Sequence, residues 1–215
     1  MTTVSHEFRT PLATIMSSTE LLERYLDRLS PARRDECLAV VRVQVQHMKE
    51  ILDDLSLLIA IDVDSISFEP EFVSLRKILH TVTDRMDLQF FDWQPSFSEG
   101  LDMINADEGL LIPILRHLIA NALRYSPQGS TIRFNARIEG EILVMEISDQ
   151  GLGILQEDID HIFDTFYRGK NVAHIGGTGL GLAIVKRCAK LSGGDITCQS
   201  HNGTGTTFTV RLPSV

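Results

Sequence analysis

The 215-residue chain lacks several features that would place it in a broad class at once. It has no run of 18 apolar residues and no secretory signal at its start, so we expect no membrane-spanning segment. Its formal net charge of −9 argues against broad nucleic-acid binding, which requires a basic surface. Its three cysteines show no CxxC spacing, which favours reduced thiols in a cytoplasmic protein over a disulfide framework or a metal site.

The composition is that of a folded protein, with 43% hydrophobic and 23% charged residues. The length suits one large or two modest domains. We predict two, residues 1–62 and 69–215, joined by a linker at 63–68 where the helical pattern stops. His6 lies so close to the start, where helices fray, that we expect the natural protein to extend upstream.

Heptad-like patterns fill the first 62 residues. One run comprises Phe8, Leu12, Ile15, Thr19, Leu22, Leu26 and Leu29, and the next comprises Leu38, Val41, Val45, Met48, Leu52, Leu55 and Ile59. Between them Ser30 can cap a helix that starts at Pro31, which predicts an antiparallel hairpin. Because two such helices bury little alone, we predict a homodimer through residues 1–62 that closes a four-helix bundle. The alternative is packing on the rest of the same chain.

His6 is predicted to face solvent on the first helix. At about 100° per residue, the apolar seam lies on roughly the opposite side of that helix. Glu7 is adjacent, Thr10 lies one turn further on the same face, and Pro11 removes a backbone hydrogen bond and favours a bend. An imidazole is a competent nucleophile when a neighbouring base holds or removes its ring proton, and Glu7 is placed to do so. An ordinary solvated histidine is the alternative.

Strand and helix patterns alternate in residues 69–215, which predicts an α/β sandwich with helices on one face of a mixed sheet. Strands are expected near 72–73, within 89–100, near 103–104, and at 131–136, 141–148, 195–200 and 206–212. Helices are expected from the cap at Ser74 to about Leu88, and at 108–125, 156–163 and 178–191.

Asp149-Gln150-Gly151-Leu152-Gly153 follows one of these strands. The two glycines allow a tight turn, and a carboxylate at a strand end can accept a hydrogen bond from an exocyclic amine such as that of adenine. A plain strand-end turn is the alternative.

A second glycine-rich segment, residues 176–182, opens a predicted helix. Free backbone N–H groups at a helix N-terminus favour phosphate. The segment lacks the GKS or GKT ending of a P-loop and the spacing of a dinucleotide fold, so we expect a phosphate site of another class, or a glycine-rich hinge.

The long helix 108–125 ends in a third candidate segment. Asn121 is polar among apolar neighbours and offers an amide oxygen for Mg²⁺. Arg124 lies about one turn further and can reach phosphate oxygens, and Tyr125 offers a ring or hydroxyl. A core asparagine with a surface arginine is the alternative.

Taken together these motifs resemble a known family. Ser5-His6-Glu7-Phe8-Arg9-Thr10-Pro11-Leu12 resembles the phospho-acceptor box of sensor histidine kinases. In chain order, the end of the helix 108–125, the segment 149–153 and the segment 176–182 resemble the N, G1 and G2 boxes. These boxes belong to the ATP-binding fold shared by histidine kinases, DNA gyrase B, Hsp90 and MutL. Residues 163–168 resemble the F box of the flexible ATP lid.

The resemblance implies that His6 accepts phosphate from ATP, that Glu7 acts as acid and base, and that Thr10 orients water in a reverse, phosphatase reaction. It implies Mg²⁺ ligation by Asn121 and an approach of Arg168 to the γ-phosphate. The implied nucleotide contacts are Asn121, Arg124, Tyr125, Asp149, Gly151, Gly153, Arg168, Gly177, Thr178, Gly179, Leu180 and Gly181. His117 stands where many members carry a second asparagine, which leaves its role open.

The implied function is that of a sensor histidine kinase core. Mg²⁺-ATP would phosphorylate His6, from the same or the partner subunit, and the phosphoryl group would pass to an aspartate of a response-regulator receiver domain. An ATPase of the same fold that couples hydrolysis to closure, and a degenerate signalling scaffold, are the alternatives.

Overall fold

A computed structural model describes residues 2–63, 65–172 and 175–213, with side chains from Glu7 onward. The residues cluster into two compact units. One extends to Leu57 and includes Gly176–Thr178, and the other begins at Leu58 and contains the rest. None of the described helices combines the length and the hydropathy needed to cross a membrane.

Two long helices form the N-terminal part, α1 (Thr2–Tyr25) and α2 (Pro31–Asp62). The predicted cap is present, because the Ser30 hydroxyl accepts a hydrogen bond from the backbone N–H of Arg33 at 3.3 Å. Pro31 occupies the first helical position, where its missing N–H costs nothing. The predicted pair of helices with a short connection is therefore confirmed.

Helix α2 has two distinct apolar faces. Cys37 and Ile51 are buried within the chain. The predicted seam lies on another face and stays largely open in the single chain. Its members seven residues apart have the following exposures: Leu38 45%, Val45 53%, Leu52 53% and Ile59 61%. We call these four residues the α2 stripe.

The second unit contains a small and a large sheet. Strands β1 (Glu71–Ser74) and β3 (Met103–Ala106) form an antiparallel pair. The five-stranded sheet has the order β2-β4-β5-β7-β6, and its strands are β2 (Asp92–Phe97), β4 (Thr131–Glu139), β5 (Ile142–Ser148), β6 (Asp195–His201) and β7 (Gly205–Pro213). Only β2 and β4 run parallel among these pairs, so the sheet is mixed as predicted.

Three helices accompany the sheet, α3 (Leu75–Thr83), α4 (Glu108–Tyr125) and α5 (Gly181–Leu191). Ser74 caps α3, and Asp107 caps α4 by accepting from the backbone N–H of Leu110. On β4 the side chains alternate, with Ile132, Phe134 and Ala136 buried on one face and polar residues on the other. The predicted fold class is confirmed.

Three predicted helices differ from the structure. The helix after Ser74 ends at Thr83, whose hydroxyl bonds back to the carbonyl of Leu79, rather than near Leu88. Residues 156–163 form successive turns instead of a helix, because their backbone bonds span three residues: Asp158 to Leu155, His161 to Asp158 and Asp164 to His161. Helix α5 begins at residue 181 rather than 178, after a glycine segment with left-handed backbone.

Candidate active site

The carboxylate of Asp149 organises the end of strand β5. Its Oδ1 accepts the backbone N–H of Gly151 at 2.8 Å and that of Thr206 at 3.2 Å. The backbone N–H of Asp149 in turn donates to the carbonyl of Thr206 at 2.9 Å. Both bonds described for the carboxylate end on Oδ1, so Oδ2 is available to a donor from outside the loop.

Burial raises the pKa of Asp149, and the two backbone donors oppose that rise. A half-buried, strongly accepting carboxylate at a strand end suits recognition of an exocyclic amine.

The two glycines of this loop are required by close backbone contacts. A Cβ on Gly151 would lie 2.6 Å from the carbonyl oxygen of Tyr125. Gly153 has a φ of +66°, and a Cβ there would meet the carbonyl oxygen of His201. Leu152 is fixed between them, since its N–H donates to Tyr125 and its carbonyl accepts from Gly203. The loop is thereby held against the end of α4 and the β6–β7 turn.

The last turns of α4 present the other predicted contacts. Asn121 is half-buried, Arg124 is exposed and Tyr125 is half-buried. His117, one turn before Asn121, lies beside the start of α5, because a Cβ on Gly181 would sit 2.9 Å from its Nδ1. Its Nε2 lies 3.2 Å from a guanidinium nitrogen of Arg116. The imidazole thus fills the space between α4 and α5.

The glycine segment before α5 adopts the backbone that only glycine tolerates well. Gly179 has a φ of +69°, and a Cβ there would lie 2.7 Å from the carbonyl oxygen of Tyr167. Its own carbonyl accepts the N–H of Phe166 at 2.9 Å. Leu180 is buried as the N-cap residue of α5, with no side-chain cap bond. Gly177 is buried and Thr178 half-buried.

The side chain of Arg168 hydrogen-bonds to backbone carbonyls. Its guanidinium donates to the carbonyls of Val172, at 3.2 Å, and Ile175. In this arrangement the side chain supports its own loop.

The predicted phospho-acceptor residues lie on α1. The backbone of His6 belongs to that helix, while its side chain, predicted to face solvent, is outside the described residues. Glu7 is half-buried, Thr10 is exposed and Pro11 is buried inside the helix.

Two residues for which the sequence predicted no role in the site adjoin these elements. Thr206 supplies a backbone donor to Asp149, yet it lies 57 positions away, where no local pattern could reveal it. The hydroxyl of Ser126 is buried and finds no hydrogen-bond partner among the described residues, beside Tyr125. A cleft of about 450 Å³ lies elsewhere, lined by residues 65–73 and 107–109, and takes no part in this arrangement.

Comparison with known proteins shows the family of this chain. The family described as histidine kinase-, DNA gyrase B- and HSP90-like ATPase matches residues 106–215, more than half of the chain. The chain belongs to this ATPase family. The His Kinase A phospho-acceptor domain matches residues 1–62. The predicted histidine kinase core and its ATP-binding domain are therefore confirmed.

Individual relatives support the same family. Sensor histidine kinase WalK of Bacillus subtilis (strain 168) is 34% identical over 218 residues, which are 98% of this chain and 35% of WalK. The chain spans 27% to 52% of the length of the curated relatives it matches.

Two solved structures share the fold. The Acinetobacter baumannii histidine kinase AdeS superposes with a TM-score of 0.73 at 21% identity, covering 97% of both chains. Full-length ShkA in complex with AMPPNP gives a TM-score of 0.72 at 27% identity, covering 99% of this chain and 45% of that one.

Proposed function

We propose that this histidine kinase core uses Mg²⁺-ATP to phosphorylate His6 and then transfers the phosphoryl group to an aspartate of a response-regulator receiver domain. The observation that carries the proposal is the loop at Asp149, where a carboxylate and two closely packed glycines lie beside the end of α4 and the β6–β7 turn. We also propose the reverse, phosphatase reaction, in which Thr10 orients the water that removes the phosphoryl group from the same receiver domain.

The residues present fit a bound adenine nucleotide. Oδ2 of Asp149 would accept the exocyclic amine, and the absence of side chains at Gly151 and Gly153 leaves the loop in backbone contact with its neighbours. The remaining contacts that we propose are Arg124, Tyr125, Arg168, Gly177, Thr178, Gly179, Leu180 and Gly181. Backbone N–H groups at the start of α5 favour an anionic phosphate.

The amide oxygen of Asn121 would hold Mg²⁺ beside the phosphates, as hard cations prefer oxygen donors. When bound, Mg²⁺ neutralises charge on the phosphates during transfer. Asn121 is half-buried on the same helix as the buried Leu118 and Ala122, so its side chain is held by a rigid element.

The chemistry at His6 follows from its neighbours in α1. A ring nitrogen forms the N–P bond while the bond between the γ-phosphorus and its bridging oxygen breaks, releasing ADP. Glu7 holds the proton on the other ring nitrogen and makes the imidazole a better nucleophile. Pro11 lies inside α1 and has no backbone N–H to donate. We propose that this favours a bend in the helix beside the acceptor.

The α2 stripe supports the proposal of a homodimer. Four apolar residues at seven-residue spacing, each between 45% and 61% exposed, form a continuous seam on one helix. Seams with this repeat pack against a second helix with the same repeat. Pairing two copies would bury the stripe in a four-helix bundle, with residues 1–62 as the dimerisation domain, 63–68 as the linker and 69–215 as the catalytic domain.

A test of the dimer replaces Leu52 by lysine. The variant should sediment as a monomer at concentrations where the wild type is a dimer, with unchanged helix content because Leu52 is exposed in the single chain. Gln46→Lys, an equal charge change at an exposed position outside the stripe, should remain dimeric. A dimeric Leu52→Lys variant would refute this interface.

A test of the reaction incubates the chain with Mg²⁺ and radiolabelled ATP and locates the label by mass spectrometry. We expect an acid-labile, base-stable phosphate on His6 and none in His6→Gln. Steady phosphate release without labelled protein would favour a coupled ATPase instead. We also propose a cytoplasmic location, consistent with three free thiols, Cys37, Cys188 and Cys198.

A further inference from the structure

A buried carboxylate lies just outside the loop of residues 149–153. Asp158 is 1% exposed and belongs to the turns that follow Gly153. Its Oδ1 accepts the hydroxyl of Tyr167 at 2.6 Å, and its Oδ2 accepts the backbone N–H of Lys170 at 3.2 Å. Each carboxylate oxygen therefore holds a different point of the chain nine to twelve residues further on.

Burying a carboxylate is costly unless it is well bonded, so this placement needs a reason. The backbone wraps closely around the group, because a Cβ on Gly169 would lie 3.0 Å from Oδ2 of Asp158. The bond to Asp158 raises the pKa of Tyr167 to about 12, so the phenol keeps its proton and remains a donor. A charged acceptor makes stronger bonds than a neutral one.

The segment held by Asp158 is also attached to the nucleotide site. We call residues 166–171 the lid base. The N–H of Phe166 donates to the carbonyl of Gly179, which precedes α5, at 2.9 Å. The side-chain amide of Asn171 donates to the carbonyl of Gly153 at 3.0 Å. The lid base is thus bonded at both ends to glycines of the proposed site, and Asp158 bonds to two residues between those ends.

An exposed ion pair adds little to this arrangement. Lys170 Nζ lies 2.9 Å from Glu157, but both side chains are well exposed, and such pairs contribute little. The buried bonds of Asp158 are the ones that can fix the geometry.

We propose that Asp158 is a positioning residue for phosphoryl transfer, whose two bonds fix the lid base beside the bound triphosphate. The inference rests on the proposed function and deepens it, since it names what orders the loop over the nucleotide. In this proposal Asp158 acts through Tyr167 and the backbone of Lys170, and not by contact with the nucleotide.

Two substitutions and a matched control test the role. Asp158→Asn keeps the shape, and its amide oxygen can still accept the N–H of Lys170, but its NH₂ group can only donate, so the Tyr167 hydroxyl loses its charged acceptor. Tyr167→Phe removes only the hydroxyl. Asp160→Asn makes the same charge change two residues away at an exposed position and is the control.

The first measurement is hydrogen–deuterium exchange of the nucleotide-free full chain, which does not depend on activity. In Asp158→Asn and Tyr167→Phe, exchange should rise in the lid base while that of α4 and β5 stays as in the wild type. The second is titration with Mg²⁺-ATP, in which both variants should bind about tenfold more weakly, a factor that corresponds to about 1.4 kcal/mol. The initial rate of His6 labelling at low ATP should fall by the same factor and recover at saturating ATP.

The results also separate the two proposals. Because Asp158 and Tyr167 act through one bond, the double variant should bind Mg²⁺-ATP no more weakly than Asp158→Asn alone. Wild-type affinity in folded Tyr167→Phe, or exchange that rises equally in α4 and β5, would overturn the positioning role. Absence of label from the wild type would contradict the proposed function, while the exchange and titration still decide the role of Asp158.

Discussion

Replacing Asp149 by asparagine separates the two tasks of its carboxylate. The retained amide oxygen can still accept the N–H groups of Gly151 and Thr206, so the loop should keep its shape. The new NH₂ group takes the place of Oδ2 and would face the adenine amine, donor against donor. A hydrogen bond to a charged group is worth about 1.5–3 kcal/mol, so Mg²⁺-ATP should bind between about tenfold and about a hundredfold more weakly.

Isothermal titration measures the affinity, and thermal unfolding of the nucleotide-free variant checks the loop. Asp149→Ala is the companion variant, because it removes the acceptor for both backbone donors and should lower the melting temperature as well. If Asp149→Asn binds Mg²⁺-ATP with an affinity within twofold of the wild type, the assignment of Asp149 to the adenine amine is refuted.

The pH dependence of binding offers a second readout of the same group. Burial raises the pKa of Asp149, so it takes up a proton at a higher pH than an ordinary aspartic acid. A protonated carboxyl is a weaker acceptor, and nucleotide affinity should fall as the pH drops through that raised pKa. Folding stability has the opposite sign: the contribution of this group is present at low pH and is lost as the pH rises through the raised pKa. Asp149→Asn should show neither effect, which corrects for titration of the nucleotide itself.

Three further tests follow from close packing. Gly151→Ala places a Cβ 2.6 Å from the Tyr125 carbonyl oxygen. It should therefore destabilise the fold by about 1–3 kcal/mol in denaturant unfolding and weaken Mg²⁺-ATP binding. An unfolding midpoint equal to that of the wild type would contradict this close contact. Phe134→Ala empties a fully buried site and should cost about 3–5 kcal/mol, whereas a loss below about 1 kcal/mol would mean that β4 is not central to the core. Gly181→Ala should weaken Mg²⁺-ATP binding by crowding His117, and adding His117→Ala should restore binding in the double variant. If the two substitutions instead lower the affinity additively, the two residues do not compete for the same space.

Local signals in the sequence were sufficient for most elements. The cap at Ser30 with Pro31 predicted the start of α2, and the apolar pattern at 108–125 predicted α4, whose bounds agree with the structure. The α2 stripe occupies a different face of its helix from the buried Cys37 and Ile51, and its role as a dimer seam stays a prediction. These features depend on neighbours within a few positions, which is what periodicity and capping report.

Predictions failed or fell short where distant backbone decides the outcome. The pattern at 156–163 resembles a helix, but the buried carboxylate of Asp158 bonds to Tyr167 and Lys170, and the chain folds into turns around it. The start of α5 shifts because Gly179 must take a left-handed backbone against Tyr167. Thr206 was predicted only as part of a strand, because its bond to Asp149 comes from a backbone N–H, which residue type does not indicate.

The dependence of Asp149 on Thr206 bears on how the protein is made. A ribosome must synthesise 57 more residues after Asp149 before the second donor to its carboxylate exists, and β7 must then pair with β5 to bring that donor into place. A nascent chain that has exposed only the first half of the pocket should therefore be unable to capture nucleotide, however abundant ATP is around it.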